Sequence, residues 1–430
     1  MMVPSIDGGA VDALDEERLD WRFKAVPASA HGATVGEYRR ARPPLSDFGT
    51  PLLTLDAGAL EHNVRLMAAW TGDAGVRLAP HGKTTMAPAL WRRQLDAGAW
   101  GITVANLPQL RVARAFGVAR VQVANALLDP AGLAWLAGEL DGDPDFRFVS
   151  WVDSARSVEL MDEALRAARA QRPVEVCVEL GGPHGRTGVR DDREALAVAD
   201  AVRKAPTLRL AGTAGYEGAL AHDASADGRA SVDAYLRRLA ELHRRADFEV
   251  DDPIVTAGGS SFFDQVVDVL GGLGGELVLR SGAYIIHDDG FYRGISPFSR
   301  GTASAQGDGA GGAGGGRFRA GMHGWGRVIS RPEPGLALLD TGKRDLPFDE
   351  GLPEPQLVRG AGPGPVAGAR VTALNDQHTF LEGAEVAVGD VVRLGLSHPC
   401  TALDKWTLIP VVDDAGAERP VVVDLIRTWF

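Results

Sequence analysis

Between residues 76 and 285 the chain repeats one pattern: a short apolar run, a polar turn, then a helical stretch. The runs are Val76–Ala79, Gly101–Ala105, Arg120–Ala124, Phe146–Val152, Val174–Leu180, Leu208–Gly212, Pro253–Ala257 and Leu277–Leu279. They show little polar/apolar alternation, as strands covered on both faces do. The intervening segments, such as Ser154–Arg172 and Ser231–Arg245, are rich in Ala, Leu, Arg and Glu. Eight such units match a (β/α)8 barrel of the TIM type. A doubly wound open sheet produces the same local pattern. The barrel is favoured by where the distinctive side chains fall, at the C-terminal ends of the runs, where barrels place their active sites. Those ends carry Lys83, Asn106, Asn125, Asp153, the loop Glu179–Gly188, Tyr216-Glu217-Gly218, Gly258-Gly259-Ser260 and Ser281–Tyr284.

After Tyr284 the helical period fades. Apolar, β-branched runs take over at Trp325–Ser330, Leu336–Asp340, Val371–Leu374, Val391–Gly395, Thr407–Val412 and Val421–Trp429, which predicts a mostly β second domain. The division expected is an N-terminal extension at 1–48 with a helical pattern around Ala10–Phe23, a barrel domain at 49–285, and a β-rich domain at 286–430. Pro51–Asp56 reads as a strand opening the barrel domain, and Ala57–Trp70 as a helix with Leu60, Val64 and Met67 inward. Gly307–Gly316 is low in complexity and reads as a surface insertion.

At 430 residues, two domains are expected. A formal net charge of −12 disfavours nucleic acid and anionic membranes, which need a basic face. No apolar run reaches the length of a membrane span. The acidic N-terminus lacks the basic start and apolar core of a signal peptide, so a cytoplasmic location is expected. Two cysteines, Cys177 and Cys400, imply no disulfide framework. Cys177 lies mid-strand among valines and reads as core packing.

The chemistry concentrates at three places. Val76–Pro88, VRLAPHGKTTMAP, is a strand-to-loop junction that presents Lys83, one of only five lysines. A lysine amine can form a Schiff base once its pKa is lowered, whereas a guanidinium stays protonated. Thr256–Ser261, TAGGSS, ends one strand and opens a helix. Its glycine N–H groups suit a phosphate, and Ser281-Gly282-Ala283-Tyr284 on the next strand adds donors and a phenol; either turn alone is also an ordinary βα connection. His398-Pro399-Cys400 puts an imidazole and a thiol two residues apart, on one side of an extended chain, a pair suited to zinc. The other reading is a structural cysteine beside an incidental histidine. Arg186, in GGPHGRTGVR, suits a cofactor or a surface acid, and Tyr216 a planar ring or the barrel mouth. His81 reads as a turn residue or a cofactor neighbour, and His378 as a turn residue.

Taken together, PLLTLD, PHGKT, the Arg186 loop, YEG, TAGGSS, RSGAY, LNDQH and SHPC resemble the fold-type III pyridoxal-phosphate enzymes. Within them the chain looks most like the D-serine dehydratase and D-threonine aldolase group, with the alanine racemase N-terminal type of barrel. The resemblance implies that Lys83 carries the cofactor and removes the Cα proton, that Tyr216 packs near its ring with Arg186 close by, and that Gly258, Gly259, Ser260, Gly282 and Tyr284 hold its phosphate. It implies that His398 and Cys400 bind zinc, which would assist loss of a β-hydroxyl. The reaction expected first is dehydration of D-serine to pyruvate and ammonia, and of D-threonine to 2-oxobutanoate. The alternative is D-threonine aldolase, which yields glycine and an aldehyde; aldolases of the group more often place a carboxylate where Cys400 stands. Racemases of this fold use a tyrosine of the β domain, and none follows Tyr292. A non-enzymatic pyridoxal-phosphate carrier would lack the second domain. Relatives of this kind imply a homodimer taking a small D-amino acid.

Overall fold

The structure is a computed structural model describing residues 6–183, 185–300, 316–360 and 364–430; apart from Gly316, the glycine-rich insertion lies outside them. The first strand, β1 (Leu52–Asp56), is followed by eight parallel strands: β2 (Arg77–Leu78), β3 (Ile102–Val104), β4 (Arg120–Val123), β5 (Arg147–Val152), β6 (Val174–Leu180), β7 (Leu208–Gly215), β8 (Ile254–Ala257) and β9 (Glu276–Leu279). Each of these eight coincides with an apolar run read from the sequence. They pair in the order β2-β9-β8-β7-β6-β5-β4-β3. The ring closes through Trp100 N to Leu78 O (2.7 Å) and Thr103 N to Pro80 O (2.9 Å). The open-sheet alternative is thereby ruled out.

The polar residues at strand ends divide by role. Asn106 caps the helix Leu107–Ala115 by accepting from Gln109 N, the short-side-chain capping that ends a strand and starts a helix. Asp153 accepts from Gly188 N (3.1 Å) and so ties down the Arg186 loop. Inside the barrel Ala79, Trp100, Val149, Trp151, Cys177, Ala214, Ile254 and Val278 form a packed plug. Cys177 is fully buried, and burial pushes its thiol up, so it is the inert core cysteine expected.

The C-terminal region is mostly β, as anticipated, but it recruits β1. Leu52–Asp56 pairs antiparallel with Met322–Glu333 and parallel with Leu408–Val412. The barrel domain therefore does not begin at residue 49. PLLTLD is a central strand of the second sheet, consistent with its nearly complete burial, and the helix Ala57–Asp73 leads from it to β2. Much of the segment before PLLTLD joins that domain too, while its start at Asp7 and Asp12 bonds to the barrel at Phe116 and Arg92. Leu19, Phe23, Ala30, Val35, Leu45 and Phe48 pack on Leu52, Trp325, Leu408 and Val412. The helix expected over Ala10–Phe23 is limited to Gly8–Asp12 and a 3-10 turn at Ala13–Glu16, since the chain must bend to deliver Leu19 and Phe23 to this core. No helix among the described residues is long and apolar enough to cross a membrane.

Candidate active site

A cavity of about 320 Å³ opens at the C-terminal ends of the barrel strands. Lys83 reaches it from the 3-10 turn Gly82–Thr84 that follows β2. Only glycine fits at 82, because a Cβ would come 2.9 Å from both Ile102 Cγ2 and Trp91 Nε1. The turn thus lies hard against the barrel wall, and the next side chain is directed into the mouth. Burial lowers the Lys83 pKa, with Arg186 and Arg280 adding to the effect and Cys400 opposing it. His81 is half-buried, and desolvation of its ring, with Lys83 and Arg280 nearby, holds its pKa well below the ordinary histidine value. Its Nδ1 has no partner among the described residues.

Arg280 is the residue that the sequence reading missed. It directly follows β9, is buried, donates to Thr256 Oγ1 (2.8 Å) and Gly215 O (2.6 Å), and lies over the Trp151 ring at 4.7 Å. A lone arginine interrupting the apolar run LVLR was the available signal. Arg186 and Tyr216 do meet at the mouth, with the guanidinium 4.9 Å over the phenol ring. Tyr216 N is held by Tyr235 Oη, which itself donates to Leu180 O.

The phosphate donors expected from the glycine turns are only partly available. Gly259, Ser260, Gly282 and Ala283 line the cavity, and Ser260 Oγ accepts from Ala283 N at 3.2 Å. At Gly282 a Cβ would lie 2.4 Å from His81 O, so the two turns can approach only without a side chain there. Gly258 does not line the cavity. Tyr284 points away from it: the phenol is buried and accepts from Gln94 Nε2 at 3.0 Å. The 3-10 turn Ala283–Ile285 rotates its side chain behind the wall. Tyr284→Phe should therefore cost about 1 kcal/mol of unfolding free energy and leave cofactor affinity unchanged, a contrast that denaturant unfolding and cofactor titration would measure.

His398 and Cys400 line the same cavity. The tripeptide is not extended, as the sequence argument assumed. His398 is left-handed (φ 55°) and caps the short helix Pro399–Leu403, so convergence comes from a helix start. Cys400 Sγ donates to Thr84 Oγ1 (3.4 Å), next to Lys83. Burial alone would raise the thiol pKa, but His398, Thr84 and Lys83 together lower it. Burial would likewise depress His398, yet Cys400 and Asp349 raise it to about 9. Asp349 Oδ2 lies 2.5 Å from His398 Nδ1 and its Oδ1 accepts from Thr401 Oγ1. Asp288, buried, accepts from His398 N through Oδ2 and from Gly290 N and Tyr292 N through Oδ1. It thereby links the metal-site candidate to Tyr292, another cavity residue. Asp349, Asp288 and Tyr292 carried no sequence motif that marked them.

This geometry agrees with what the chain is similar to. It is 30% identical over 383 residues to a D-threonine aldolase of Arthrobacter sp, spanning 87% of this chain and 92% of that one. The chain belongs to the D-threonine aldolase and D-serine dehydratase-like family of fold-type III pyridoxal-phosphate enzymes. The alanine racemase N-terminal domain model matches residues 55–265 and the putative serine dehydratase domain model residues 321–412. A 3-hydroxy-D-aspartate aldolase of Paracoccus denitrificans (strain Pd 1222) is 26% identical over 370 residues, 84% of this chain and 88% of that one. The crystal structure of a D-threonine aldolase from Filomicrobium marinum superposes with a TM-score of 0.73 at 27% identity, covering 90% of this chain and 97% of that one. A D-threo-3-hydroxyaspartate dehydratase from Delftia sp. HT23 shares the fold, with a TM-score of 0.69 at 20% identity over 89% and 97% of the two chains.

The residues present fit the family's cofactor. One amine enters the cavity, an orphaned imidazole nitrogen and a fixed guanidinium flank it, and a cradle that excludes any Cβ at 282 provides the anion end. The candidate metal pair fits a divalent ion in its donor chemistry. A soft thiol and an imidazole whose other nitrogen is held by a carboxylate form a common ligand arrangement. Among the described residues no group of three His, Cys, Asp or Glu side chains is placed to hold an ion, so an ion bound by this pair would keep positions for water or substrate.

Proposed function

We propose that this protein is a lyase acting on β-hydroxy-D-amino acids, and that it cleaves the Cα–Cβ bond of a D-threonine-type substrate to give glycine and an aldehyde. This reverses the order expected from the sequence, in which elimination stood first. Support comes from the near end-to-end similarity to D-threonine aldolases. The observation that carries the reading is the position of Lys83 in one cavity with the His398–Cys400 pair.

Pyridoxal phosphate, when bound, supplies the sink for electrons released at Cα. Lys83 would carry it, Tyr216, Arg186 and Arg280 would border it, and Ser260, Gly282 and Ala283 would take its phosphate. Burial lowers the Lys83 pKa, which suits it to deliver the proton that Cα takes up once the bond is broken. His81, kept neutral by burial, does not add another cation to this crowded positive wall. His398 and Cys400 would hold a divalent ion, zinc by donor type, which supplies Lewis acidity toward the β-oxygen. A Cys→Ala variant of D-threo-3-hydroxyaspartate dehydratase has been solved in a metal-free form, which shows that a metal is at issue for that protein.

Dehydration is the second reading. It is supported by the serine dehydratase model over 321–412, the segment that contains both His398 and Cys400, and by the thiol itself. Incubating the purified enzyme with D-threonine and D-serine separates the two. Glycine and acetaldehyde from D-threonine, without ammonia, is the expected result. Ammonia with keto acid from either substrate, and no glycine, would replace the aldolase reading with the dehydratase.

A further inference from the structure

The two glycine amides that a phosphate would be expected to use are already occupied. Glu217, which follows Tyr216 after β7 and is wholly buried, accepts from Gly258 N through Oε2 (3.0 Å) and from Gly259 N through Oε1 (2.7 Å). It makes no ion pair among the described residues. A carboxylate withdrawn from water without an ion pair is costly. Its compensation here is the pair of charge-assisted bonds to one turn, so what the residue accomplishes must be sought at that turn.

Gly258 has φ +91°, and a Cβ there would lie 2.6 Å from Leu279 Cδ2. Glycine in this region is the least constrained of residues, and an unanchored Gly-Gly pair would sample many paths. With both amides pinned by one rigid carboxylate, Ser260 follows at a defined place. Its Oγ then accepts from Ala283 N, and Gly259 O accepts from Ser281 Oγ at 3.0 Å. The turns after β8 and β9 are thereby joined into one wall of the cavity.

We infer that Glu217 is the positioning residue of the anion cradle lined by Ser260, Gly282 and Ala283: by holding the Gly258 and Gly259 amides it fixes Ser260 against the turn after β9, where the phosphate of the cofactor is received. The inference rests on the pyridoxal-phosphate reading of the site and is independent of which substrate bond is broken. Glu217→Gln tests it. Glutamine keeps the shape but offers one acceptor oxygen and turns an NH₂ toward a second N–H, so one amide loses its partner and the turn loosens.

The readout is titration of cofactor-free protein with pyridoxal 5′-phosphate, and separately with pyridoxal, followed by visible absorbance. In Glu217→Gln the affinity for pyridoxal phosphate should fall roughly 10- to 100-fold, the size expected for one bond to a charged group. The affinity for pyridoxal should change by less than about threefold, because only the phosphate end is disturbed. Equal loss for both compounds would mean a general structural role, and unchanged or tighter binding of pyridoxal phosphate would mean that Glu217 is idle or competes with it; either overturns the inference. Should Glu217→Gln not fold, Glu217→Asp, which keeps the charge but withdraws it by one methylene, is read by the same pair of titrations with the same outcomes. Failure of the aldolase reading would leave these titrations untouched, since no substrate enters them.

Discussion

Lys83→Ala is expected to remove turnover, by roughly 10³-fold or more, and to abolish the borohydride-sensitive visible absorbance of the cofactor-loaded protein. Lys83 is distinguished from the other lysines by its placement. Lys24 pairs with Asp345, Lys405 bonds Thr401 O and Asp404, and Lys343 lies over the Phe348 ring. None of these, nor Lys204, lines the cavity. Lys83 does, and burial lowers its pKa, which raises the neutral fraction able to attack a carbonyl or take a proton. Lys83→Arg should be equally inactive, because a guanidinium retains its charge and cannot perform either step. Steady-state assay and absorbance spectra of both variants check this. Activity within tenfold of wild type in either would show that the amine is not where the chemistry occurs.

Cys400→Ala is expected to lower kcat by about 10²- to 10³-fold, on the scale of losing the Lewis acid at the reacting oxygen, and to abolish stoichiometric zinc. The cofactor absorbance should persist, because Lys83 and the phosphate cradle are left intact. Asp349→Asn should retain zinc more weakly, by about 10- to 100-fold, since it orients the imidazole without binding the ion. The proton balance points the same way. His398 is raised to about 9 by Cys400 and Asp349, so without an ion its imidazole carries a proton, and the Cys400 pKa is lowered by His398, Thr84 and Lys83. An ion must displace the imidazolium proton, and apparent affinity should weaken as pH falls. Elemental analysis after dialysis and chelator titration at two pH values measure all three effects. Full zinc content in Cys400→Ala would place the ion elsewhere.

Much of this site was legible because its signals are local. Lys83 stands out by the scarcity of lysine and by a strand-end turn, and the Gly-Gly-Ser and His-Pro-Cys segments are compact motifs. Arg280 was passed over because its importance lies in burial against Trp151 and Thr256, residues 129 and 24 positions away in sequence, as the numbering in the chain shows. Tyr284 was assigned to the phosphate because a phenol beside a glycine turn has the right chemistry; a 3-10 turn then faced it toward Gln94. The His-Pro-Cys spacing predicts an extended segment, whereas a left-handed His398 at a helix start brings the pair together by another route.

The amino-acid sequence by itself determined the eight βα units, the β-rich half that follows, and the lysine, because periodicity and turn chemistry act within a few residues. Only the tertiary structure decided that Leu52–Asp56 joins the second sheet, that the N-terminal segment completes its core, and that Glu217 takes the amides of the Gly-Gly turn. A buried apolar strand satisfies any sheet that offers it two neighbours, and a carboxylate any turn that offers two N–H groups. Which one is reached depends on contacts tens to hundreds of residues apart, and no local pattern records them.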